Sequence, residues 1–354
     1  MRGVREYKNN VCGEDMLILS NGLTDVVDEG YLKVANSLVK RMKAKNPDIT
    51  VVSYERKSAL TDHYLELNKL LLSRKLISLI KKHKGNVLYI PFPAKMIATA
   101  LRIFMLSIFK RGDLRVLLVM TGKMNWLPKM LMKVSGAKFI VLSKDTENFY
   151  KSFLKENRVR YLKTGVDTSK FVPASKEKQV ELKVKYGFDP NRPIVLHVGH
   201  LNRGRNVGEL MKLDPKYQVV LVTSTLTKNE QDCDLKASLL SAPNIRIIDE
   251  YVPNIEEIYQ MSDVYFFPVL QSCQCIDVPL SCLEAAACNK AIVTTDYEEM
   301  KAFTGMPGFY FIDSFEKTRL NELIGEALTK PDADTRTAVL EYDWEYSNGQ
   351  LLEF

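Results

Sequence analysis

The sequence predicts an α/β fold built from two doubly wound parallel-sheet (Rossmann-like) domains. Three observations predict it. Apolar, strand-like runs alternate with helical patterns along nearly the whole chain, the signature of a parallel sheet covered on both faces. The alternation pauses once, at Lys163–Ser175, where Gly, Asp, Pro and Ser mark a linker, and then restarts. The sign of the charge switches at the same place. At 354 residues the chain also exceeds what one hydrophobic core usually serves. The expected domains are residues 1–170 and 171–354.

In the first domain, strands are expected at Met16–Ser20, Ile49–Tyr54, Val87–Ile90, Leu114–Met120, Phe139–Ser143 and Val159–Leu162. Helices are expected at Tyr31–Lys45, Asp62–Lys82, Lys95–Phe109, Lys129–Val134 and Thr146–Glu156. In the second domain, strands are expected at Pro193–Gly199, Val219–Thr223, Ile245–Ile248, Val264–Phe267 and Ile292–Thr294, with helices between. Asp334–Leu352 is expected to close the chain as a helix, packing back on the first domain.

The net charge of +7 conceals a split. Residues 1–170 carry 32 Lys and Arg against 15 Asp and Glu, whereas residues 171–354 carry 18 against 28. A basic domain points to an anionic partner, either a nucleic acid or an anionic membrane surface. Nucleic acid is disfavoured, because the aromatic residues of the first half lie scattered in strands rather than interleaved with the cations. The six cysteines lack CxxC pairing and zinc-ligand spacing, so free thiols in a reducing cytoplasm are expected. The first residues show no continuous apolar region, and no run of about 18 apolar residues occurs anywhere.

Two segments carry the chemistry. The strand Val264–Phe267 leads into Asp277–Lys290, DVPLSCLEAAACNK, before the strand at Ala291. Glu284 therefore sits on a short helix at the carboxyl edge of a parallel sheet, where open α/β folds bind ligands. A carboxylate there accepts two hydrogen bonds from a ribose diol, and Ala285–Ala287 let the helix approach its neighbours closely. The other segment is Gly199-His-Leu-Asn-Arg-Gly-Arg205, a loop leaving a strand and expected to start a helix near Asn206. A helix N-terminus attracts phosphate. Arg205 adds a bidentate cation and His200 a further donor. Diphosphate beside ribose describes a sugar nucleotide.

These residues resemble the retaining glycosyltransferases of family 4, which have the GT-B fold, two such domains facing a cleft. Thr164-Gly-Val-Asp167…Phe171-Val-Pro173 is similar to the family's interdomain signature. Val141-Leu-Ser143 and Glu250-Tyr-Val-Pro253 are similar to its other loops. The resemblance runs from about residue 139 to 328. It implies sugar transfer from a UDP- or GDP-sugar, with Arg205, Glu284 and His200 at the reacting centre. Gly199, Asn202, Thr223, Val252, Asp277, Leu280 and Ser281 would hold the donor. No metal is implied, because protein cations neutralise the leaving diphosphate; Asp232-Cys-Asp234 and Asp332-Ala-Asp334 read as solvated pairs. The chain departs from the family pattern at four places, one of them Arg205, which stands at the slot of a family Lys and keeps its charge. Ile276 stands where the first motif Glu is usual, with Asp277 beside it. Pro279 stands where a Gly is frequent, and His200 replaces an Arg.

The first domain is expected to bind a glycan, lipid-linked or cell-envelope acceptor, with Gly22, Pro91 and Lys95 at the cleft. Lys95–Phe109 reads either as a buried helix or as a membrane contact. Lys123–Lys133 adds Trp126 and Met side chains beside three lysines. Together these imply a cytoplasmic protein lying against the inner face of the plasma membrane. The alternatives are a sugar-nucleotide enzyme of another type, epimerase-like, and an inactive binding protein on the same frame.

Overall fold

The computed structural model describes residues 15–25, 29–71, 73–92, 95–110, 113–122, 124–224, 231–271, 274–329 and 334–352. The first domain runs β1 (Met16–Ser20), α1 (Gly30–Lys45), β2 (Thr50–Ser53), β3 (His63–Tyr64), α2 (Arg74–Lys82), β4 (Asn86–Ile90), α3 (Met96–Phe109), β5 (Leu114–Leu118), α4 (Trp126–Ser135), β6 (Lys138–Val141), α5 (Lys144–Lys151) and β7 (Val159–Tyr161). The second runs α6 (Lys176–Lys185), β8 (Ile194–Val198), β9 (Gln218–Val222), α7 (Cys233–Leu240), β10 (Ile245–Ile248), α8 (Ile255–Met261), β11 (Val264–Phe267), α9 (Leu280–Ala287), β12 (Ala291–Thr294), β13 (Phe309–Phe311) and α10 (Lys317–Thr329). The chain ends with α11 (Thr335–Val339) and α12 (Trp344–Leu352).

The strands form two sheets, ordered β3-β2-β1-β4-β5-β6-β7 and β10-β9-β8-β11-β12-β13. Every pairing within them is parallel. Parallel strands must be covered on both faces, which is why β1, β5, β9 and β12 are buried at every position. In each sheet the winding reverses once, between β1 and β4 and between β8 and β11. Those two points open the crevices in which such folds bind ligands.

Three expected elements differ. The single closing helix expected at Asp334–Leu352 is split into α11, a 3-10 turn at Leu340–Tyr342 and α12, because Asp343 takes an extended backbone and bridges to Val166. The helix predicted from Asp62 begins only at Arg74. Asp62 donates its N–H to the Val51 carbonyl, and its carboxylate accepts the Val51 N–H at 2.7 Å, so the segment is drawn onto the sheet edge as β3. The helix predicted near Asn206 is instead two short 3-10 turns, Arg203–Arg205 and Val207–Lys212, split by Asn206 at φ 56°.

The two lobes meet along a close seam. One apolar cluster is continuous through it, holding Leu32, Val119 and Val166 together with Ile276, Val278 and Leu283. Gly165 allows the approach: its φ is +145°, and a Cβ there would lie 2.7 Å from the Leu280 side chain. The chain crosses between lobes twice. Val166 lies beside Asp343 in a parallel bridge, donating to Tyr342 O and accepting from Trp344 N. After the second crossing α12 packs on α1, where Arg41 bonds both Asp167 and Glu345.

Asp277 is one of the polar contacts of the seam, with Tyr161 donating to Glu299 and Lys301 meeting Asp145 elsewhere along it. The Asp277 N–H donates to Val119 O, and its carboxylate accepts from Thr146 Oγ1 at 2.8 Å and from Thr121 Oγ1 at 3.3 Å. Burial pushes its pKa up to about 7; the Thr146 hydrogen bond opposes this and the charge of Glu298 adds to it. Tyr150, Cys275 and Tyr297 also face it. A native pKa above the unfolded value means that the folded protein holds a proton the unfolded chain releases. The associated stability is therefore present at low pH and lost as pH rises from about 4 to about 7. Asp277→Asn mimics the protonated form. The melting temperature of the wild type relative to this variant is expected to fall across that window, as read by thermal unfolding at stepped pH; a constant difference would refute the assignment.

Candidate active site

Loops leaving the carboxyl ends of both sheets enclose a cavity of about 890 Å³ between the lobes. The first domain contributes Thr24 and Glu29 after β1, Phe92 after β4 and Met120 after β5, with α1 along one wall. The second contributes Gly199–Arg205 after β8, Thr223 and Ser224 after β9, Glu250–Pro253 after β10 and Gln274–Ile276 after β11.

Glu284 lies at the bottom, only 3% exposed, on α9. Ala285, Ala286 and Ala287 are fully buried, so the helix sits close to its neighbours as their size requires. Glu284 Oε2 accepts from Tyr259 Oη at 2.7 Å, and Oε1 meets Lys33 Nζ of the first domain at 2.6 Å. Arg205 is also buried, and its Nε has no hydrogen-bond partner. An unpaired buried guanidinium donor is costly, and the arginine that carries it lines the cavity. The 3-10 turn holds it in place: Asn202 Oδ1 caps the Arg205 N–H at 2.9 Å. Burial pushes the nearby Cys275 thiol up, while Arg205 pulls it down.

Glycines set the shape of this loop. A Cβ on Gly204 would strike the Gln274 side chain at 2.1 Å, and one on Gly199 would come within 3.0 Å of His197 Nε2. His197 itself is fully buried, with Nδ1 2.8 Å from Phe266 O. Burial depresses its pKa to about 4, so it is neutral at physiological pH.

The structure brings Gly199, His200, Asn202, Arg205, Thr223, Val252, Leu280, Ser281 and Glu284 together around the cavity. Thr223 Oγ1 is turned toward Asp249 at 2.8 Å. Four predicted residues are not in the lining. Asp277 cannot stand in for a carboxylate at position 276: Ile276 takes the cavity side, and the next side chain turns away into the seam. Gly22 lies behind Tyr31, whose ring would be 2.2 Å from a Cβ, so Tyr31 faces the cavity instead. Pro91 is buried behind Phe92, which takes the lining position and meets Tyr31 edge to face at 4.7 Å. Lys95 is exposed at the start of α3. Of the acidic pairs, Asp232 caps α7 and Asp334 caps α11; Asp332 lies outside the described residues.

Lys33, Tyr259 and Gln274 were missed by sequence reasoning. Lys33 sits among the apolar positions of α1 and Tyr259 on a short helix, and neither belongs to a motif. Only the 251-residue separation closed by the fold brings Lys33 to Glu284.

Residues 178–342 match the model of the family described as glycosyl transferases group 1. The alpha-maltose-1-phosphate synthase of Mycolicibacterium smegmatis is 22% identical over 251 residues, and that of Mycobacterium tuberculosis 24% over 252. Each match covers 65% of this chain, which spans 65% of the length of these curated relatives. Among solved structures, a glycosyltransferase from Rickettsia africae superposes with a TM-score of 0.75 at 14% identity, covering 96% of this chain and 97% of that one. Anabaena HepE, solved with UDP and glucose, superposes at 0.72 and 13%, covering 96% and 98%. The family match falls on the domain that supplies Arg205 and Glu284, and the frame shared with those structures is the two-sheet GT-B fold: the second domain is similar to the group 1 glycosyl transferases, and the chain as a whole has their fold.

Proposed function

We propose that the protein transfers a sugar from a UDP- or GDP-sugar to a glycan, lipid-linked or cell-envelope acceptor, with retention at the anomeric carbon. The observation that carries this is the pairing, in one interlobe cavity, of a buried guanidinium whose Nε has no partner and a buried carboxylate. Their chemistry suits a diphosphate and a ribose diol respectively. That HepE was solved with UDP-glucose supports the donor class.

In the proposed reaction the bond from the anomeric carbon to the diphosphate oxygen breaks. The acceptor oxygen bonds to the same face, and its proton passes to the departing phosphate oxygen. Negative charge grows on the diphosphate, and Arg205, with His200 beside it, stabilises that charge most in the transition state. The residues assigned here do this work without a resident metal. Ile276 gives the sugar an apolar neighbour in place of a carboxylate.

The acceptor side is proposed to rest on an anionic membrane. No helix among the described residues is long and apolar enough to cross one. However, α3 and α4 pack together and leave Ile108, Trp126, Met130 and Val134 exposed. Trp126, Met130 and Val134 follow one face of α4 at four-residue spacing, beside exposed Lys133. An apolar stripe flanked by cations suits the lipid interface, where each cation adds about 1 kcal/mol.

A melting-temperature screen is expected to show stabilisation by UDP or GDP. Arg205→Ala is expected to lower turnover by about 10²-fold or more, and Glu284→Ala to weaken nucleotide binding about tenfold or more. Wild-type turnover in both variants would overturn the site. Trp126 is 72% exposed and the other tryptophan, Trp344, is buried. Vesicles containing anionic lipid should therefore shift the tryptophan emission to the blue in the wild type but not in Trp126→Phe, while zwitterionic vesicles leave both unchanged; equal spectra in every case would remove the membrane from the proposal.

A further inference from the structure

The first turn of α1 is fastened to the second domain at two points one helical turn apart. Gly30 lies against Ile276, where an added Cβ would be 3.2 Å from the isoleucine Cδ1. Lys33 reaches Glu284 at 2.6 Å. Both oxygens of that carboxylate are thus engaged, Oε1 by Lys33 and Oε2 by Tyr259. Each oxygen already accepts one hydrogen bond and the side chain is only 4% exposed, so a ribose diol reaches the carboxylate only by displacing a partner.

The two partners are not equally held. Tyr259 belongs to the same domain, is fully buried, and packs edge-on against Phe171 at 5.6 Å and beside Tyr265 at 5.9 Å. Lys33 comes from the opposite lobe, and its side chain is 22% exposed, so water can receive its ammonium. Lys33 is the partner that yields.

We propose that Lys33 is a positioning residue that occupies the ribose carboxylate while the cleft is empty, and that the nucleotide enters by exchanging its ribose hydroxyls for this ammonium. The proposal rests on the nucleotide-sugar reading above. Glu284 is buried, and a carboxylate left there without a partner would carry a large desolvation penalty. The lysine gives it a partner at the cavity until the diol arrives. The bridge spans the lobes, so the exchange also frees the first turn of α1 from one of its two attachments. Nucleotide binding and the relation between the lobes are thereby coupled through a single charge pair.

The test compares UDP and GDP with their 2′,3′-dideoxy counterparts by calorimetry, on the full chain, well above the carboxylate titration range. In the wild type the diol must break the bridge, so the hydroxyls gain little. The ratio of dissociation constants, dideoxy over ribose form, is expected to rise about tenfold in Lys33→Met, where no bridge competes. Lys33→Gln serves if the methionine variant fails to fold, and Lys33→Arg, which keeps a cation, should retain the wild-type ratio. A structural role alone would weaken both nucleotides equally and leave the ratio unchanged; an unchanged or smaller ratio overturns the proposal. If the wild type binds no nucleoside diphosphate at all, the functional reading fails and this inference with it. Binding with an unaltered ratio sinks this inference alone.

Discussion

The contact between the loop after β11 and the end of β5 governs the rest of the molecule. Val119 accepts the Asp277 N–H, and the side chains around it close over a buried carboxylate. The loop that gives Gln274–Ile276 to the cavity is therefore fixed to the opposite lobe, not only to its own sheet. Two doubly wound sheets on one chain need not face each other. Here the continuous apolar cluster supplies non-directional adhesion, and the aspartate supplies direction, because its hydrogen bonds hold only in one relative orientation.

Given that orientation, one cavity follows from topology. The winding of each sheet reverses once, and the seam turns both reversals toward the same space. Ligand-facing positions then come from the seven loops described above and from the walls formed by α1 and α9. The imbalance of charge follows the division into lobes. The acidic lobe carries its buried arginine as a local exception, and the basic lobe carries its surplus on exposed helices.

The strands were readable because burial on both faces demands near-continuous apolar runs, and β1, β5 and β9 show them. The family resemblance, carried by Glu284 and the Gly199–Arg205 loop, was readable because backbone chemistry demands particular residue types there. β3 was not readable: two exposed residues join the sheet through a side-chain bond from Asp62 rather than through any pattern of their own. Nor was the 3-10 geometry after Arg203, which depends on Asn206 taking a left-handed backbone. Asp277 was assigned to the donor because adjacent residues look interchangeable in a string, whereas in a loop they point opposite ways. The acceptor residues went to Gly22 and Pro91 when Tyr31 and Phe92 hold the surface. Cross-lobe partners such as Lys33 leave no periodic trace at all.

The two chain crossings at Val166 and Asp343 run side by side, bonded to each other through their backbones. Both hydrogen bonds run between backbone groups, so side-chain changes leave the join intact, and only a proline at position 166 or 344 would remove one of its donors.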